Sequence, residues 1–177
     1  MAHNKEQNRE GGLLNYLGDV SKNIVEHHHR ENLSEFLLHD VCSHDMFGIR
    51  KAAYLVNNPD FSCLKGIAGY YNPEYFDKGK TWHNPKDFTS HMQKSQFNGH
   101  VRSYLDDAYV TNSQHDMSSD KIQELVEYLQ IDDPAYHLWQ LKHNNQGLFI
   151  FEKPEDHAIL EDHLLKFLQM LSFCPVF

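Results

Sequence analysis

The chain reads as an α+β protein in which two β-hairpins pair into one antiparallel sheet covered by about six helices. Three observations predict this. Two runs of strand-forming residues each return across a turn signal: Lys51–Asn57 with Cys63–Tyr71 about Asn58-Pro59-Asp60, and Tyr136–His143 with Leu148–Glu152 about Asn144-Asn145-Gln146-Gly147. Apolar residues recur at helical spacing before, between and after these runs. A lone hairpin is marginal in water, so the economical arrangement joins the two and packs helices on the shared sheet.

The elements follow in order. Leu13, Leu17, Val20 and Ile24 recur at helical spacing and predict a first helix to about His29. Asn32 opens a second, with Glu35 three residues on in the pattern of a capping box and Leu33, Phe36, Leu37 and Val41 as its apolar stripe. The first hairpin follows Gly48, and Gly66 and Gly69 in its returning strand either weaken it or admit close approach of a backbone or ligand. Asn84-Pro85 starts a third helix, which Asn98-Gly99 is expected to break. Val101, Tyr104, Leu105, Ala108 and Tyr109 then fit a fourth. Ile122, Leu125, Val126 and Leu129 mark a short helix stopped by Asp132-Asp133-Pro134. Beyond the second hairpin, Leu160, Leu164, Phe167, Leu168 and Leu171 give the last helix a wide apolar face, and the apolar tail 172–177 is expected to dock on the body or on a partner.

A chain of 177 residues, 40% of them apolar, supports one ordinary domain with a real core. The expected unit is therefore 1–177. The polar segment 110–119 is its candidate boundary, joining halves 1–110 and 119–177 that each read as helix–hairpin–helix.

The net charge of −9 excludes a sequence-independent grip on nucleic acid and a polybasic membrane surface. No stretch approaches the roughly 18 apolar residues that cross a bilayer, and nothing like a secretory leader follows Met1, so a cytosolic location is the default. The charge is uneven: residues 1–105 carry 12 acids and 12 bases, whereas residues 106–177 carry 13 acids and 4 bases. An acidic half serves either as a solvated face or as a surface for a basic partner. Three cysteines without a close pair are free thiols in a reducing compartment.

No P-loop, dinucleotide fingerprint, zinc-protease helix, nucleophile elbow or Cys-x-x-Cys is present. The densest constellation is His39-Asp40-Val41-Cys42-Ser43-His44-Asp45. Imidazole, thiolate and carboxylate are the side chains that bind transition metals such as zinc or iron. His39, Cys42 and His44, joined by Cys63 across the turn into the hairpin, form the candidate metal set. Asp40, Cys42 and His44 form the candidate catalytic set, because a carboxylate beside an imidazole raises its basicity and an imidazole beside a thiol makes a nucleophile. The alternative is a helix end whose polar residues face water. His27, His28 and His29 point about 100° apart on a helix, so they cannot chelate one ion together. Trp82-His83-Asn84-Pro85 with Tyr70, Tyr71, Tyr75 and Phe76 is an aromatic loop, a lid over the sheet or an anchor for a ligand. Beside it, the helix start after Asn98, with His100 and Arg102, is a place for a small anionic ligand.

Two readings of function follow. The first is a cytosolic binding or regulatory protein acting through an acidic C-terminal surface, with a protein partner or as a homodimer. The second is a metal-dependent or Cys/His enzyme with its site at residues 39–45. Fourteen histidines also allow pH sensing.

Overall fold

The structure is a computed structural model and describes residues 2–43, 47–77, 80–109, 117–154 and 161–175. Its elements are α1 (Ala2–His27), α2 (Leu33–Ser43), β1 (Lys51–Asn58), β2 (Cys63–Tyr71), α3 (Pro85–Lys94), α4 (Gln96–Ser103), β3 (Leu105–Asp106), α5 (Ser119–Leu129), β4 (Pro134–Gln140), β5 (Gln146–Glu152) and α6 (Glu161–Met170). Short 3₁₀ turns cover Pro59–Phe61, Asn72–Glu74 and Leu171–Phe173.

Both expected hairpins form, and they join into one five-stranded antiparallel sheet in the order β3-β2-β1-β5-β4. The join is β1 against β5, from Ala52 opposite Phe151 to Asn57 opposite Gln146. These two central strands are buried along almost their whole length. That explains why AAYLV and GLFIF read as unbroken apolar runs: each face of the strand meets a helical layer.

The layers are distinct. Ala52, Tyr54, Val56, Phe149 and Phe151 face a core built with α1, α2, α3 and α6. Ala53, Leu55, Leu148 and Ile150 face a second core built with α4 and α5. The fold is thus a sheet between two helical layers. Of the apolar tail, Cys174 is buried in the first core, whereas Phe173 is exposed.

Strand β2 carries the local device on which the second layer depends. Tyr54 pairs with Ala68 and Leu55 with Gly66, which leaves Ile67 as a bulge. In a regular strand Gly66 and Gly69, three apart, would face opposite ways. The bulge turns both toward α4. A β-carbon on Gly66 would lie 1.8 Å from the Val101 carbonyl oxygen, and one on Gly69 would lie 2.7 Å from Val101 Cγ2. Of the two sequence readings of these glycines, the structure realises close backbone approach.

Two helix boundaries differ from expectation. Helix α1 begins at Ala2, well before Leu13. Helix α3 ends at Lys94 rather than at Asn98-Gly99, because Ser95 takes an extended conformation (φ −62°, ψ 122°) and caps α4 by accepting the Asn98 N–H. Asn98 and Gly99 sit inside α4. Its helix stops at Ser103, so Val101–Tyr109 is not one helix: Tyr104 gives its carbonyl to Gly66 N–H at 3.0 Å, and Leu105–Asp106 pair with β2. The i, i+3, i+4 pattern there belongs partly to α4 and partly to a strand edge.

Candidate functional site

Helix α2 lies across the sheet and is buried at every position from Leu33 to Cys42. Its polar residues are therefore inside the protein. The His39 ring stacks on Tyr75 at 5.9 Å and meets Tyr70 and Phe88 edge-on. Its Nε2 accepts the Phe76 N–H at 3.3 Å. Burial, and then the nearby His91, push its pKa down to about 4, so the ring is neutral at pH 7. With Nε2 accepting, the proton belongs on Nδ1, which is buried without a hydrogen-bond partner among the described residues.

The Asp40 carboxylate accepts the Trp82 Nε1–H at 2.8 Å, and the Asp40 carbonyl accepts the Tyr16 hydroxyl at 2.9 Å. Trp82 itself is buried, stacked on His27 and tilted against Phe36. This part of the aromatic loop covers the first core. Cys42 is buried, and burial holds its thiol well above the ordinary range. Cys63 is half-buried at the start of β2, seven residues from the Tyr70 that touches His39. At strand rise that separation is about 20 Å, so the structure does not bring Cys63 to His39. His44 and Asp45 lie outside the described residues. Among the described residues, no group of three His, Cys, Asp or Glu side chains is arranged to hold a metal ion.

A second polar cluster was not singled out by the sequence as a site. Asn32 and Glu35 do meet at the start of α2, but side chain to side chain and backbone to backbone rather than by the reciprocal side-chain-to-backbone bonds of a capping box. Asn32 Nδ2 donates to Glu35 Oε2 at 3.0 Å, and the Glu35 N–H goes to the Asn32 carbonyl at 3.0 Å. The Glu35 carboxylate turns inward, where Oε1 accepts Asn98 Nδ2 at 2.9 Å and Arg102 NH1 at 2.7 Å. Its side chain is 3% exposed, against 54% for Arg102. Asn98 completes the link by accepting the Gly69 N–H at 2.9 Å and donating to the Met92 carbonyl at 3.0 Å.

One network therefore ties α2, α3, α4 and β2 together. It borders a cleft of about 240 Å³ whose wall includes Glu31, Ser34, Lys65, Gly66, Arg102 and Pro175. The sequence carries only two separate signals for the network, the Asn32/Glu35 pattern and the basic corner at His100 and Arg102. Spacing along the chain could not show that 67 residues close into one contact.

No helix starts after Asn98, the place expected for a small anion, because Asn98 lies inside α4. The helix begins at Gln96, and the hydroxyl of its cap Ser95 donates to Glu74 Oε2, while the Phe97 N–H points at the same carboxylate at 3.3 Å. A protein carboxylate thus occupies the anion position at the helix dipole.

The described acids from Asp107 to Asp133 lie on the surface. Asp107, Asp120, Glu124 and Glu127 are exposed, whereas Ile122, Leu125 and Leu129 turn α5 into the second core. Between Asp106 and Leu141 the sequence has eight acids and one base, Lys121. That base is held by Asp106 at 2.6 Å and by Glu124 at 2.8 Å. The contact lowers the Asp106 pKa, and these acids raise that of Lys121 against the opposing effect of burial. An open groove of about 430 Å³ lies farther along, between Arg50, Tyr71, Asp132, Asp133, Glu152 and Lys153.

No helix of the described residues is long and apolar enough to cross a membrane. Neither a family model, nor a curated protein, nor a solved structure matches the chain. The class defined by fold is therefore α+β, with an antiparallel sheet between two helical layers.

Proposed function

We propose that this chain is a cytosolic binding or regulatory protein that meets a basic protein partner through the outward face of α5. The observation that carries the reading is a division of labour. In the 39–45 run His39, Asp40 and Cys42 are buried and Ser43 is half-buried, with His39 and Asp40 engaged by Phe76 and Trp82. The acids of α5, Asp120, Glu124 and Glu127, are exposed, and the one base between Asp106 and Leu141, Lys121, is held by Asp106 and Glu124. Such a surface steers and selects a cationic partner more than it tightens the complex.

The test uses a lysine-rich peptide as probe, with a glutamate-rich peptide as control. The full chain is expected to bind the basic peptide alone, with affinity falling steeply as salt rises. Changing Asp120→Lys and Glu127→Lys together is expected to lower the affinity at least tenfold. Equal binding by the variant, or none by the parent protein, rejects the reading.

A second reading has one observation in its favour, the buried Nδ1 of His39 without a partner. A metal-dependent or Cys/His enzyme would use His39, Cys42 and His44 together with Asp40. Elemental analysis of protein prepared without an affinity tag tests it. Stoichiometric zinc or iron that disappears in Cys42→Ala or His44→Ala supports a metal centre, and metal-free protein rejects it.

A further inference from the structure

We propose that β4 is a self-association edge, along which two copies of this chain pair antiparallel to make one ten-stranded sheet. The sheet has two ends. At one, β3 is only two residues long. At the other, β4 runs for seven residues and pairs only with β5 among the described residues.

The hydrogen-bond phase says which groups point outward. The Lys153 N–H reaches the Asp133 carbonyl at 3.1 Å, and the Leu141 N–H reaches the Asn145 carbonyl at 2.8 Å. Both contacts lie in the β4–β5 register, so the odd-numbered residues of β4 bond to β5. Tyr136, Leu138 and Gln140 therefore direct their N–H and C=O groups to the open edge. Pro134, without an N–H, stands at the first position of the strand.

Long open edges are normally blunted by a charge, a bulge or a mid-strand proline. From Pro134 to Gln140 this strand has none of these: it carries no Asp, Glu, Lys or Arg, and its register with β5 is unbroken. Tyr136, 44% exposed, adds an aromatic surface.

Charge selects a second copy as the occupant. The strand is preceded by Asp132-Asp133 and followed by Lys142-His143. A two-fold axis at Leu138 lays the start of one strand beside the end of the other, so Asp133, which holds Lys153 of its own chain at 3.2 Å, comes opposite the other copy's His143, and Lys142 comes opposite Pro134, next to the acids. The same register opposes Tyr136 to Gln140 and Leu138 to Leu138, which gives six inter-copy backbone hydrogen bonds. Lys142 Nζ also lies 5.9 Å from the centre of the Phe173 ring, which is 66% exposed and adds apolar contact at each end. The contact is isologous and closes on itself, leaving no edge for a third copy at β4.

The test is sedimentation equilibrium of the full chain across a concentration series, with circular dichroism as a fold control. The parent protein is expected to reach twice its 20.8 kDa chain mass. Hydrogen exchange at the Leu138 and Gln140 amides is expected to slow as the dimer forms. Tyr136→Pro removes one outward N–H and no bond to β5, and is expected to weaken dimerisation at least tenfold. Should that variant lose its fold, Asp132→Lys with Asp133→Lys carries the test. It is expected to weaken the dimer, and adding Lys142→Glu with His143→Glu is expected to restore it. A chain that stays monomeric to several hundred micromolar overturns the proposal. So does a dimer indifferent to these charge changes, or one that leaves the Leu138 and Gln140 amides fast.

Discussion

Gly66 of β2 and Val101 of α4 meet backbone to backbone, so closely that a β-carbon on Gly66 would fall 1.8 Å from the Val101 carbonyl oxygen. No side-chain movement relieves such a contact. Gly66→Ala is expected to destabilise the protein by about 3 kcal/mol or more, because α4 must lift from the sheet. Gly99, inside the same helix, has no atom within 4 Å of its would-be β-carbon. Gly99→Ala is expected to stabilise the protein by about 0.5–1 kcal/mol through helix propensity. Urea midpoints of the two variants measure both, and a common sign would contradict the placement of α4.

The Glu35–Arg102 pair joins a buried carboxylate to a half-exposed guanidinium. Arg102→Met leaves Glu35 with its two amide donors, Asn32 and Asn98, and no cation. With the solvent exposure of Arg102 discounted, the expected cost is about 1–2 kcal/mol. Adding Glu35→Gln removes the stranded charge and is expected to return part of that cost. A double-mutant cycle by chemical denaturation reads the coupling, and strict additivity would dissolve the network.

His39 makes stability depend on acid. Its folded pKa of about 4 lies below the unfolded value of 6.5, so the unfolded chain binds the proton more readily. Above about pH 6.5 the ring contributes no pH dependence. As pH falls from there toward 4, the fold loses stability, by about 2 kcal/mol at pH 5. His39→Gln keeps an acceptor for the Phe76 N–H and removes the titration. Denaturation midpoints at pH 7.5 and pH 5 should converge in that variant relative to the parent protein.

The three thiols should separate by access. Cys42 and Cys174 are buried, and burial raises both thiols, Cys174 to about 12 against a smaller opposing effect of the Ser34 hydroxyl. Cys63 is half-buried. A thiol reagent at pH 8 is expected to label Cys63 first, with Cys42 and Cys174 reacting only on unfolding. Peptide mapping after a timed quench gives the order. Early labelling of Cys42 would argue for a reactive nucleophile at residues 39–45.

Local patterns and contacts between distant residues carried different information here. The hairpins were legible because their turn residues and strand formers are neighbours in sequence. Asn98-Gly99 was misread for the same reason: as a dipeptide it signals a helix break, but the Asn98 amide is claimed by Glu35, Met92 and Gly69. Those partners outweigh the local preference. His39, Asp40 and Cys42 stood out by composition alone, and composition does not report whether a helix lies on the surface or beneath it.

The sequence by itself determined the α+β class, the two hairpins and the placing of negative charge after residue 105, since each depends on residue type and short-range periodicity. Only the tertiary structure decided that β1 pairs with β5, that a bulge at Ile67 turns two glycines toward one helix, and that Glu35 closes on Arg102. These depend on contacts between residues far apart in the chain, where backbone sterics and the burial of polar groups are settled by whatever packs opposite.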